Sequence, residues 1–328
     1  MYSVEEPLPG PRWAGLFRRL EPGYRDWFLR EGDAARPSYM VALRALRKHM
    51  PELVPTYERL VELAGGTDSV ARLLALWCPT PYLTACSQAV WRHGSPVLVR
   101  NYDYHPMLWD AVQLATNWTG RRVIGMSDSL WGLLDGMNDD GLAVSLAFGG
   151  RKVVGTGFGM PLILRYVLET CCTVDEGVAA LLRIPSHMSY NVTLVDAQGA
   201  YQTVYVAPDR PPFVAHRAFA TNHQRHIDWE AFAEATASVD REQHLIARLD
   251  DATESASRFV QRFLEPPLYQ SSFARGWGTL YTAVYEPASR RTALHWAGLS
   301  LQQSIDSFQE GAVTLSFGAS PGGERRHA

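Results

Sequence analysis

No stretch of about eighteen apolar residues occurs anywhere in the 328-residue chain, so a transmembrane helix is not expected. The opening residues Met1-Tyr-Ser-Val-Glu-Glu-Pro7 are acidic and lack the basic and apolar regions of a secretion signal, which makes a cytoplasmic location the default expectation. Cysteine is scarce: Cys78, Cys86, Cys171 and Cys172 form neither a disulfide framework nor a Cys-x-x-Cys metal pattern. Excess charge is missing as well, and a formal net charge of −3 offers no footprint for nucleic acid. Gly155-Thr-Gly-Phe-Gly159 has neither the Gly-x-Gly-x-x-Gly nor the Gly-Lys-Ser/Thr pattern of a phosphate cradle. His223 and His226 have no third ligand nearby in the sequence, and surface histidines are expected rather than zinc. Neither cofactor nor metal is expected. No internal repeat is evident.

What is present is the composition of a soluble globular protein with a sizeable core, 46% hydrophobic and 20% charged, in a chain long enough for one large α/β sandwich. The most informative segment begins at Tyr82. Residues 82–91 are apolar and β-prone, Arg92-His-Gly-Ser-Pro96 is turn chemistry, and Val97-Leu-Val-Arg-Asn101 resumes a strand. These runs predict a hairpin that carries Cys86 and Arg100 to within cross-strand reach, with Asp103 at the strand end. A thiol given a charged, polar setting is a candidate nucleophile. Taken alone, Cys86 would read as a small buried apolar residue.

Other motifs follow in order: Asp135-Gly-Met-Asn-Asp-Asp-Gly-Leu142, Ala220-Thr-Asn-His223 and Ser257-Arg-Phe-Val260. Each is short and weak alone. Together with Cys86 and Arg100-Asn-Tyr-Asp103 the set resembles the N-terminal-nucleophile (Ntn) hydrolases of the acyl-CoA:6-aminopenicillanic acid acyltransferase family, peptidase family C45. Bile salt hydrolases, penicillin V acylases and acid ceramidase are its more distant relatives. The resemblance spans residues 86–260 and continues less specifically through Asp196-Ala-Gln-Gly199. It implies an α+β fold, a four-layer αββα sandwich preceded by a helical N-terminal segment. It also implies self-cleavage between Ala85 and Cys86, giving a leader of residues 1–85 and a catalytic portion of residues 86–328 within one compact domain. Relatives often carry glycine where this chain has Ala85.

An amino-terminal cysteine holds an α-amine of reference pKa about 8 beside a thiol of about 8.5, so the nucleophile carries its own base. Arg100 is expected to favour thiolate, and Asp103 to orient the amine. Asn222 is expected to donate to the oxyanion, with a backbone N–H near Asn138 as the second donor. Arg258 is expected to approach from a helix. Plainer readings stand beside these. Asn138 fits a hairpin turn, Asn222 a turn cap and Asp103 the start of a loop. Arg258 fits a surface helix arginine paired with Glu254 at i,i+4. The expected activity is hydrolysis or transfer of an N-acyl amide through a thioester acyl-enzyme on Cys86. The alternatives are N-acyl transfer from a coenzyme A thioester, or a non-catalytic binding protein of the same fold. The expected partner is a small acyl amide or acyl thioester, with no nucleic acid and no membrane, and homo-oligomerisation stays open. Trp109, Trp118 and Trp131 suit an aromatic substrate pocket or core packing equally.

The remaining pattern predicts helices across residues 1–80, including Tyr39–Arg47 and Leu53–Ala64, the latter ended by Gly65-Gly66. Helical blocks are expected at 160–183, where Cys171 and Cys172 would pack in the core, and at 228–264. Strands are expected at 190–206, 213–221, 279–286, 291–297 and 312–317. Residues 320–328 read as a disordered tail.

Overall fold

The computed structural model describes residues 1–317; the expected tail at 320–328 lies outside the described residues. The chain opens with a strand, β1 (Tyr2–Glu6). Four helices follow: α1 (Pro11–Phe28), α2 (Tyr39–His49), α3 (Val54–Leu63) and α4 (Asp68–Ala75). Six strands come next: β2 (Ala85–Trp91), β3 (Val97–Tyr104), β4 (Val112–Thr116), β5 (Val123–Asp128), β6 (Gly132–Asn138) and β7 (Ala143–Phe148). Helices α5 (Met160–Thr170) and α6 (Val174–Arg183) precede β8 (Tyr190–Val195), β9 (Tyr201–Ala207), β10 (Arg210–Val214) and β11 (Phe219–Ala220). Helices α7 (Glu230–Ala235), α8 (Ser238–Leu249) and α9 (Ala256–Arg262) lead into β12 (Gly278–Glu286), β13 (Arg291–Trp296), β14 (Leu299–Ser304) and β15 (Gly311–Ala312).

Two sheets result, one of nine strands in the order β10-β9-β8-β7-β6-β5-β4-β1-β15 and one of six in the order β11-β2-β3-β12-β13-β14. Strand β2 lies against β7 between the sheets, α5 and α6 cover the outer face of the larger sheet, and α8 packs on β2 and β11 of the smaller. Those are the four layers of an αββα sandwich. Because both faces of the central strands are covered, β2 and β6 are buried throughout their length, and they read as near-continuous buried runs rather than alternating ones. Among the described residues no helix is long and apolar enough to cross a membrane.

The N-terminal segment differs from an all-helical leader. Strand β1 pairs in parallel with β4, Tyr2 opposite Val112, and antiparallel with β15. Its Ser-Val-Glu-Glu sequence hid it, since only Ser3 and Glu6 turn inward. The four helices are locked to the sandwich: Trp13 Nε1 donates to Leu130 O (2.9 Å) and Trp131 Nε1 donates to Leu74 O (2.8 Å). The last expected strand, 312–317, is confined to the two residues Gly311–Ala312, and Leu299–Ser304 forms a strand the pattern had not suggested.

Candidate active site

The β2–β3 hairpin sets the geometry. Its register places Cys86 opposite Tyr102 and Gln88 opposite Arg100, so Arg100 is the diagonal neighbour of Cys86 on the same sheet face. That face looks toward the other sheet. Arg100 donates through Nη2 to Cys86 Sγ (3.2 Å), through Nε to Leu146 O (3.0 Å) and through Nη1 to Tyr281 Oη (2.8 Å), and it forms an ion pair with Asp135. Asp135 also accepts from Tyr281 Oη (2.7 Å) and from Tyr285 Oη. A guanidinium with no exposure is thus fully engaged, as a buried charge must be.

Residues of the other parity face the helices. Asp103 has 1% exposure, accepts from Thr279 Oγ1 (2.6 Å) and pairs with Arg241 Nη1 (3.1 Å). Arg241 is the residue the sequence reading missed. It comes from α8, has no exposure, and donates to Ser87 Oγ (2.8 Å) and to Asn222 Oδ1 (2.7 Å). The same Oδ1 accepts the backbone N–H of Cys86 at 3.0 Å. Thiol and backbone nitrogen of Cys86 are therefore held separately, by Arg100 and by the Asn222–Arg241–Asp103 chain.

Asn222 is fixed in turn. Its Nδ2 donates to Phe148 O (3.0 Å) and its backbone N–H to Ser238 Oγ (2.8 Å). Gly150 permits this approach: its φ is +69°, and a Cβ there would lie 2.1 Å from Asn222 O. Only glycine tolerates both the left-handed conformation and that separation.

Burial raises the Cys86 thiol pKa above its ordinary value; the Arg100 charge lowers it and Asp103 raises it. The Arg100 charge is outweighed by desolvation in the intact chain, so the net effect on Cys86 is opposite to the expected bias toward thiolate. Burial also lifts Asp103 to about 6, against the lowering effects of Arg241 and Thr279.

Two expected residues stand elsewhere. Asn138 spends its side chain on structure: Nδ2 donates to Leu168 O (3.0 Å) and Cys171 O (2.8 Å), Oδ1 accepts from Leu142 N (3.0 Å), and its backbone N–H donates to Leu142 O (3.0 Å). It joins the β6–β7 turn to the end of α5, so the turn reading describes it and no donor is left for an oxyanion. Arg258 lies exposed on α9. Its supposed partner Glu254 pairs instead with Arg248 (3.6 Å) and Arg262 (3.3 Å). The helical arginine that reaches the cluster is Arg241. A signal for it existed, because Ser238, Arg241, Leu245 and Leu249 share the buried stripe of α8 and a cation on an apolar stripe needs a buried partner. Asp135 had a similar signal, a carboxylate inside the buried strand Gly132–Asn138.

Beside the hairpin a cavity of about 840 Å³ opens between α1, residues 81–83 and the loop after β3. Trp109 lines it, whereas Trp118 and Trp131 pack in the core.

The site is a buried thiol on β2, the second strand of the smaller sheet of a two-sheet, helix-covered sandwich, with its backbone nitrogen held by an asparagine. Residues 91–300 match the family model for acyl-coenzyme A:6-aminopenicillanic acid acyl-transferase. That is well over half of the chain, and the chain belongs to this family. The matched stretch contains Arg100, Asp103, Asn222 and Arg241 and begins just after Cys86. No curated protein matches it in sequence. Among solved structures it is similar to a mutant of conjugated bile acid hydrolase from Clostridium perfringens (11% identity, 73% of this chain and 100% of that chain, TM-score 0.46). It is also similar to penicillin V acylase from Agrobacterium tumefaciens (15%, 67% and 86%, 0.46) and to the Caenorhabditis elegans N-acylethanolamine-hydrolyzing acid amidase ortholog (15%, 62% and 93%, 0.47). Likeness at this level carries nothing about chemistry, and the fold assignment stands on the sheet order and the family match. Membership makes the chain a protein of an acyl-transferase enzyme family.

Proposed function

We propose that the protein is a cysteine Ntn amidohydrolase or acyltransferase that cleaves itself between Ala85 and Cys86 and then works on N-acyl amides through a thioester on Cys86. The observation that carries this reading is the double grip on Cys86, Arg100 at the sulfur and Asn222 at the nitrogen. A structural cysteine would need an acceptor for its backbone N–H but no buried guanidinium at its sulfur.

In maturation the thiol attacks the Ala85 carbonyl, the Ala85–Cys86 C–N bond breaks, and the nitrogen takes the thiol proton. Water then hydrolyses the resulting thioester, leaving a carboxylate on Ala85 and a free thiol and α-amine on Cys86. The new amine, with a reference pKa of about 8, serves as the base for the sulfur beside it. Asn222 Oδ1, already the acceptor for that nitrogen, orients it, and Arg241 and Asp103 hold Asn222 in place. In turnover the sulfur attacks the substrate carbonyl while its proton moves to the amine. The Nδ2 hydrogen of Asn222 not used by Phe148 O is the oxyanion donor. The tetrahedral intermediate collapses, the C–N bond breaks, and the leaving amine takes the proton. The acyl group on sulfur passes to water in hydrolysis or to a second amine in transfer.

Trapping the acyl-enzyme tests the reading. Denaturing mass spectrometry of enzyme quenched during turnover of an N-acyl amide panel should show one acyl mass on the chain that starts at Cys86. Cys86→Ala should fold, stay uncleaved and release no amine, and Cys86→Ser should cleave slowly. Near-normal amine release by Cys86→Ala would move the nucleophile elsewhere, with Cys171 and Cys172 next to be examined.

A further inference from the structure

The cavity beside the hairpin holds two carboxyls that the proposed chemistry does not use. Asp110 and Asp128 both line it and are each 4% exposed. Tyr24 Oη from α1 donates to Asp110 Oδ1 (2.6 Å) and lies 3.5 Å from Asp128 Oδ1, while Tyr82 and Ser129 donate to Asp128 Oδ2 (3.2 and 3.1 Å). Asp110 Oδ2 is buried and has no partner. A carboxyl oxygen without a partner in a closed setting is costly unless a proton or a cation meets it.

Among the described residues no cation forms an ion pair with Asp110 or Asp128, although Arg19 and Arg30 also line the cavity. Burial raises both carboxyls: Asp110 to about 8, with the charge of Asp128 beside it as the next cause, and Asp128 to about 6, where the hydrogen bonds from Ser129 and Tyr82 and the charge of Arg100 only partly offset it. Much of the wall is aromatic, with Arg19, Asp26 and Arg30 as its other charged members. Tyr24 and Trp27 meet edge to face at 5.8 Å, Trp27 and Tyr82 at 6.0 Å, and Tyr82 and Tyr104 lie tilted at 6.4 Å. Aromatic faces above carboxylates attract an organic ammonium. The described residues contain no group of three or more His, Cys, Asp or Glu placed to hold a metal ion, so an inner-sphere metal would lack ligands. The cavity also reaches the nucleophile's neighbourhood: Tyr82 and Leu83 line it just before Cys86, and Tyr104 just after Asp103.

We propose that this cavity is a specificity pocket for a substituent bearing a primary ammonium, so that the preferred substrates are cationic N-acyl amides whose ammonium pairs with Asp110 and Asp128. The inference rests on the amidohydrolase reading for its link to turnover, but binding is measurable without catalysis. Full-length Cys86→Ala protein is titrated calorimetrically with n-hexylammonium and with 1-hexanol. The ammonium should bind at least 10-fold more tightly than the alcohol. Adding Asp110→Asn and Asp128→Asn should abolish that preference while leaving hexanol affinity within twofold. Equal affinity for amine and alcohol in the Cys86→Ala protein overturns the pocket whether or not the Asn variants fold, and so does a preference that survives both substitutions. Amide turnover by Cys86→Ala would instead overturn the catalytic reading and leave the pocket standing.

Discussion

Arg241 and Arg258 are both helical arginines within one short stretch of sequence, and their surroundings predict opposite consequences. Arg241 is held by Ser87, Asp103 and Asn222, so its removal leaves Asp103 buried without its ion-pair partner and Asn222 free to turn. Arg241→Gln should slow maturation and lower kcat by about 10²-fold or more, the usual scale when a group that fixes an oxyanion donor is lost. Arg241→Lys should restore part of the activity, because it keeps the charge but not the fork that reaches two acceptors. Arg258→Ala should change kcat and KM by less than twofold. Parallel steady-state assays of processed protein check all three, and a silent Arg241→Gln with a damaging Arg258→Ala would reverse the assignment. Hairpin chemistry is local, which made the approach of Arg100 to Cys86 legible, whereas Asn222 stood out through the family resemblance of Ala220-Thr-Asn-His223. The sequence did not reveal Arg241, whose partners sit far away along the chain, and the short Ser257-Arg-Phe motif drew attention to the wrong helix.

At the scale of elements, the β6–β7 turn and the C-terminal end of α5 are one unit, joined by Asn138. Its side chain satisfies Leu142 N–H and the carbonyls of Leu168 and Cys171. Asn138→Ala would leave those groups buried and unpaired, which should destabilise the protein by about 2–4 kcal/mol. Turnover per folded molecule should stay unchanged. Denaturation and active-site titration separate the two; a large loss of kcat at unchanged stability would return Asn138 to the catalytic machinery. Helices α2 and α3 and both later helical blocks were readable because their apolar residues recur at helical spacing. Strand β1 was not readable, because its place depends on pairing with β4 and β15 and not on any alternation of its own.

Across the whole molecule, several buried carboxyls make stability depend on pH in an unusual direction. Asp103 is raised from 3.8 to about 6, and Asp110 and Asp128 are raised in the same sense. A carboxyl whose pKa rises on folding binds more protons in the native state, so its contribution is present below about pH 4 and is lost as pH climbs through the folded value. In the Cys86→Ala background, Asp110→Asn should therefore raise Tm, and the gain should grow between pH 5 and pH 8. A gain that is flat with pH would contradict the burial argument. The N-terminal helices pack into the molecule: α1 supplies Tyr24 and Trp27 to the cavity wall and Trp13 to the core. Residues 1–85 should stay bound after any cleavage. Intact mass of the purified wild-type protein, taken natively and then under denaturing conditions, tests the central claim most directly. The account predicts one native particle that separates into chains of residues 1–85 and 86–328, with Cys86 at the new amino terminus. A single uncut chain that nevertheless turns over acyl amides would contradict it.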